Sequence, residues 1–165
     1  MDRSAAKTIP RPKQAVREPR VLAEAEYRRL QEACQNHPRN AALIELFLQT
    51  GLRLSEVASL TLDDLELPTS DESRSIGAVS VNGKGRKRRT VTLNSKACDA
   101  LRAYLGARRS PSSEPVFWSR NGGRLGPRAI QRIVKNKMAA AGVARASVHT
   151  LATRSLPTWS EGGQT

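Results

Sequence analysis

The sequence predicts an α+β domain, mainly α, in which a small antiparallel β-sheet carries a basic hairpin. Three observations predict it. Segments 22–34, 95–109 and 127–141 repeat apolar residues every three or four positions. The stretch from Ala41 to Leu48 is apolar almost all round, which suits a buried central helix. Segment 76–93 changes to alternation, the period of a half-buried strand pair.

In chain order, residues 1–20 hold Pro10, Pro12 and Pro19 with few apolar side chains, and read as a basic linker or arm. The domain itself is expected over 21–165. Ala23, Tyr27, Leu30 and Cys34 form one stripe of a first helix. Pro38 suits the first position of the second helix, and Gly51 its stop. Ser55 is the expected cap of a short third helix running through Leu60. Ile76, Ala78, Val79 and Val81 lead into Asn82-Gly83-Lys84-Gly85, and Val91 and Leu93 alternate with Thr90 and Thr92 beyond it, which predicts the hairpin. Ala97, Leu101, Tyr104 and Leu105 share one side of the next helix. Val116-Phe117-Trp118 is a short apolar piece before the turn Asn121-Gly122-Gly123. The last periodic segment starts at Pro127, buries Ile130, Ile133, Val134 and Met138, and ends at Gly142, with Ser147 placed to begin another helix.

The chain of 165 residues has 28 Lys+Arg against 15 Asp+Glu, a net charge of +13. So large an excess points to a polyanionic partner, most often nucleic acid. The charge is uneven: net +4 over 1–20, −5 over 21–83, +8 over 84–110 and +6 over 111–165. That division predicts a two-faced domain with one polyanion-binding surface. No apolar run has membrane-spanning length, so a membrane partner is not expected. The start, Met1-Asp2-Arg3-Ser4, lacks the apolar stretch of a signal peptide. The two cysteines, Cys34 and Cys98, form neither a disulfide framework nor a CxxC pair, and neither a metal nor a cofactor is expected.

Three motifs carry chemistry together. In Thr50-Gly51-Leu52-Arg53-Leu54-Ser55-Glu56-Val57, Arg53 follows the buried helix and precedes Glu56 by three residues, where a carboxylate can fix the guanidinium and leave a fork for a phosphate. In Val81-Asn82-Gly83-Lys84-Gly85-Arg86-Lys87-Arg88-Arg89, glycines on both sides of Lys84 permit close backbone approach, and a two-stranded ribbon can enter a DNA groove. The third is Ser147-Val148-His149-Thr150-Leu151. Taken singly, each has a plain alternative: an ordinary ion pair, a solvated turn, an exposed histidine.

Their order and spacing are more specific. TGLRxSE, then a VxGKGxKxR hairpin, then an arginine-bearing helix, then HTL resembles the catalytic domain of the tyrosine recombinases, the phage-integrase and Xer-like family. The resemblance implies a site-specific recombinase or integrase acting on double-stranded DNA through a 3′-phosphotyrosine intermediate, alongside other recombinase subunits and with no small-molecule substrate. It implies that Arg53 binds the scissile phosphate, that Glu56 supports it, that Lys84 protonates the leaving 5′-oxygen, and that His149 opens the H-x-x-R motif. Fixed cations of this kind stabilise phosphoryl-transfer charge without a metal ion. Arg86, Lys87, Arg88, Arg89, Arg124, Arg128 and Arg132 are the expected DNA-binding residues. The implied location is the cytoplasm of a bacterium, on the nucleoid.

The pattern then departs from the family. Where His-x-x-Arg-His is expected, this chain has Ala152 and Thr153; Arg154 falls two places late, about 200° round a helix. No tyrosine follows, and Tyr27 and Tyr104 lie on amphipathic segments far upstream. A gene reading Leu-Arg-His-Ser-Phe yields Leu-Ala-Thr-Arg-Ser when one base leaves the arginine codon, which is the text of Leu151 to Ser155. The expectation is therefore a C-terminally truncated catalytic domain, inactive alone, with no nucleophile in place. Two other readings stay open: a non-catalytic DNA-binding derivative of the fold, and a basic RNA-binding protein.

Overall fold

The computed structural model describes residues 22–69, 76–109 and 114–143. The expected arm at 1–20, the helix start at Ser147, His149 and Arg154 lie outside these residues. Helix α1 spans Glu24–Glu32, α2 Pro38–Thr50 and α3 Leu54–Ser59. A 3-10 turn at Leu62–Asp64 leads into strand β1, Leu65–Glu66. Strands β2, Gly77–Asn82, and β3, Arg88–Leu93, form the hairpin. Helices α4, Ser95–Ala107, and α5, Pro127–Ala140, complete the described chain.

Helix α2 organises the core, as its all-round apolar sequence predicts. Every residue from Ala42 to Leu48 is buried, and the helix packs on α4, α5 and β3. Pro38 sits in its first turn and Gly51 ends it in the left-handed conformation, φ 64°. That sharp stop delivers the chain directly to Arg53. Leu101 of α4 and Ile130 and Val134 of α5 are fully buried against the same cluster. Tyr104 stacks on Phe117, ring centroids 5.4 Å apart, so the short apolar piece at 116–118 closes one side of the core.

The sheet is antiparallel in the order β1-β2-β3. In the hairpin, Gly77 pairs with Leu93 and Asn82 with Arg88, leaving a five-residue tip at 83–87. Gly83 N–H donates to the Lys87 carbonyl at 2.9 Å and closes the neck, while Gly85, φ 82°, and Arg86, φ 60°, turn the tip. Strand β1 and the 3-10 turn have no sequence signal: two residues are too short to show a period.

The sequence expectation for α3 needs correction. Its N-cap is Arg53 and not Ser55, which lies within the helix. The capping acceptor is a side chain from inside the helix: Glu56 takes the Arg53 backbone N–H at 2.8 Å, so no serine hydroxyl is required at the start.

Two basic side chains fasten α1 and α5 reciprocally at their C-terminal ends. Lys137 Nζ donates to the Ala33 carbonyl at 2.8 Å, and Arg29 Nε donates to the Ala141 carbonyl at 3.0 Å. Each cation meets carbonyls that a helix end leaves unpaired.

Candidate phosphate-binding site

The site grows from the loop after α2. Gly51 turns the chain, Leu52 is buried, and Arg53 emerges exposed in extended backbone at the start of α3. Among the described residues, no acceptor lies within hydrogen-bond distance of the Arg53 guanidinium. Glu56, three residues on, is 5% exposed. Its carboxylate reaches back to the Arg53 backbone amide, not to the Arg53 side chain. The guanidinium it does bind is that of Arg89, with Nη1 to Oε1 at 2.6 Å and Nη2 to Oε2 at 3.0 Å. Burial alone pushes the Glu56 carboxyl up. The Arg89 hydrogen bonds, the Arg53 amide and the charges of both arginines outweigh it and hold the group below its ordinary value.

This ion pair joins the hairpin to α3. Arg89 stands opposite Val81 in the β2–β3 register. A Cβ added to Gly83 would lie 3.3 Å from Arg89 Nη1, so the glycine leaves room for the guanidinium beside the neck of the tip. Lys84 follows immediately and is exposed. Arg53, Glu56, Arg89 and the neck bearing Lys84 therefore form one connected group, although they come from two segments far apart in the chain.

The other expected DNA-binding residues divide by what holds them. Arg86 and Lys87 are exposed at the tip, and Arg128 and Arg132 are exposed on α5. Arg88 pairs with Asp64 at 3.3 Å and is more than half exposed. Arg124 donates to the carbonyls of Ala58 at 2.9 Å and Leu60 at 3.5 Å, at the end of α3. Arg89 and Arg124, although exposed, are thus bonded to partners within the fold, while Arg53, Lys84, Arg86, Lys87, Arg128 and Arg132 offer open cations. His149 and Arg154 lie outside the described residues.

Neither tyrosine is open. The Tyr27 hydroxyl donates to the Glu45 carboxylate at 2.9 Å and accepts from Gln31 Nε2 at 2.8 Å. Burial, and then the Glu45 charge, push its pKa far above the ordinary value. Tyr104 is buried, and its hydroxyl accepts the Trp118 backbone N–H at 3.1 Å.

Sequence reasoning missed Arg39 and Arg120. With Arg132 and Lys137 they line a cleft of about 530 Å³ between the N-terminus of α2 and helix α5. Arg39 donates to the Trp118 carbonyl at 2.9 Å, and burial above all lowers its pKa. The signal was the absence of any acidic residue in the first turn of α2. Among the described residues, no cluster of three or more His, Cys, Asp or Glu side chains is placed to hold a metal ion. Among the described residues, no helix is long and apolar enough to cross a membrane.

Comparison with known proteins matches this architecture. Residues 20–156 match the model described as the phage integrase family. The tyrosine recombinase XerC of Pseudomonas fluorescens (strain Pf0-1) is 46% identical over 99 residues, 59% of this chain and 31% of that protein. The crystal structure of XerA recombinase superposes with a TM-score of 0.66 at 25% identity, covering 79% of this chain and 47% of that one. XerH, bound to its difH substrate in a pre-cleavage complex, superposes with a TM-score of 0.65 at 24% identity, covering 79% of this chain and 40% of that one. The chain spans about a third of the length of the curated relatives it matches.

Proposed function

The chain belongs to the phage integrase family, and on that premise we propose that it is the catalytic-type domain of a site-specific DNA recombinase, binding duplex DNA through the face that carries Arg53, Lys84 and the hairpin tip. The observation that carries the reading is the division of cations around Glu56. Arg89 binds the buried carboxylate, Arg53 at the start of the same helix keeps an open guanidinium, and Lys84 is exposed in the hairpin tip. An open guanidinium and an exposed amine suit a phosphodiester: the guanidinium for non-bridging oxygens, the amine for the leaving oxygen. Arg86, Lys87, Arg128 and Arg132 add exposed positive charge for the flanking phosphates.

The proposed roles follow the family motif. Arg53 holds the scissile phosphate, Glu56 sets the start of α3, Lys84 is the proton donor, and His149 supplies a further hydrogen bond. The cleavage partner in such a reaction is a tyrosine forming a 3′-phosphotyrosine link. Tyr27 and Tyr104 are both committed to internal hydrogen bonds. Neither hydroxyl is therefore free to form that link. A second reading is a DNA-binding derivative that occupies recombination sites without cutting them. Either form works on bacterial DNA in the cytoplasm, together with further recombinase subunits.

The test is duplex DNA binding by fluorescence anisotropy across a salt series. Phosphate-dominated binding weakens with a log–log slope of about −0.9 per phosphate neutralised. Substituting Arg53 or Arg86 by glutamine should flatten the slope by about one phosphate each. Binding that does not change with salt, or stronger competition by RNA than by duplex DNA, overturns the reading. Incubation with a nicked suicide substrate should give no covalent adduct on a denaturing gel, and an adduct would refute the DNA-binding-only role of these residues.

A further inference from the structure

Glu56 poses a physical problem. It is a buried carboxylate whose own helix places it three residues from an arginine meant to be free. An unpaired buried carboxylate captures the nearest guanidinium, and a captured Arg53 would offer less to a phosphate. The structure resolves this with a third residue. Arg89 reaches over from β3 and takes both oxygens in a fork, at 2.6 and 3.0 Å, while the remaining lone-pair direction on Oε2 goes to the Arg53 backbone amide. Both Glu56 oxygens are thus engaged, and the Arg53 side chain feels the carboxylate's charge without a hydrogen bond to it.

We propose that Arg89 is a positioning residue: by binding both oxygens of the Glu56 carboxylate it keeps the Arg53 guanidinium free for phosphate. The inference deepens the phosphate-binding reading above and rests on it. Three observations carry it. The pair is bidentate, so each Glu56 oxygen already accepts a guanidinium N–H from Arg89. Gly83 leaves space beside Arg89 Nη1, where a Cβ would approach to 3.3 Å. Arg53 has no acceptor for its guanidinium among the described residues, although Glu56 lies within one turn. Arg89 belongs to a run of basic residues that sequence alone assigns wholly to DNA, and its geometry separates it from Arg86 and Lys87.

The experiment compares salt slopes of duplex DNA binding for the full chain and four variants, with circular dichroism to confirm folding. Arg53→Gln sets the value of one lost phosphate. Arg89→Gln should flatten the slope by the same amount, because Glu56 then recruits Arg53. The double variant Glu56→Gln, Arg89→Gln should restore the original slope, since no carboxylate remains to capture Arg53. If R89Q does not fold, Arg89→Lys takes its place: a single ammonium covers one oxygen, and the slope should flatten by less than one phosphate. A double variant as flat as R89Q overturns the proposal and makes Arg89 a direct DNA contact. An unchanged slope in R89Q or R89K overturns it as well and leaves Arg89 a purely structural residue. If R53Q itself leaves the slope unchanged, the phosphate-binding reading fails, and the Arg86→Gln variant shows whether the whole face does.

Discussion

The Tyr27 hydroxyl lies 2.9 Å from Oε1 of Glu45, joining α1 to the most buried helix of the fold. Glu45 is 6% exposed and has no basic side chain bonded to it; its donors are the tyrosine, Gln31 at 2.8 Å and Gln49 at 3.4 Å. A carboxylate thus crosses the core boundary on neutral hydrogen bonds. Lys96 Nζ stands over the face of the same tyrosine, 5.4 Å from the ring centroid.

Tyr27→Phe removes one donor from a buried carboxylate and leaves the packing area nearly unchanged. The expected cost is about 1–3 kcal/mol, the range for a buried polar group deprived of its partner. Urea denaturation should show a lower midpoint with an unchanged slope.

The Glu56 carboxyl gives a pH signature. Its folded-state pKa lies below the ordinary 4.5. Its contribution is therefore fully present above that value and is lost as pH falls through the depressed folded value. The stability difference between the natural chain and Glu56→Gln should hold constant above about pH 5 and shrink as pH falls below the ordinary carboxylate value. A difference that grows on acidification contradicts this.

Gly77 opens β2 where there is no space for a side chain. A Cβ there would sit 2.5 Å from Cys98 Sγ and 3.0 Å from the Glu66 carbonyl oxygen. Gly77→Ala should destabilise by about 1–3 kcal/mol, the cost of overpacking. Cys98→Ala removes the closer clash and leaves the backbone one, so thermal unfolding should show a smaller cost of Gly77→Ala in a Cys98→Ala background than in the natural chain.

Gly85 has open space around it and φ 82°. Gly85→Ala therefore meets only the conformational penalty of a left-handed residue, about 1–2 kcal/mol. Because the strain falls next to Lys84, DNA affinity should also drop. Loss of stability with unaltered affinity would detach the tip from the binding face.

Helix α2 and its Gly51 stop, the α4 and α5 stripes and the Lys84 hairpin were all legible in the sequence, because apolar periodicity and turn residues are local signals. The motif spacing likewise carries the resemblance to the family. Two-residue β1 was not legible, since its existence depends on pairing Leu65 with Val79 and Glu66 with Ala78. Nor was the cap of α3: Ser55 is a better capping residue than arginine by type, but the acceptor came from Glu56. The composition of 84–89 says only that the segment is basic. Which of those cations is bound to a carboxylate was decided by tertiary structure alone, because Arg89 finds its partner 33 residues earlier in the chain. Charge is written in the sequence. Whether a charge is free or already neutralised depends on which elements the core brings side by side.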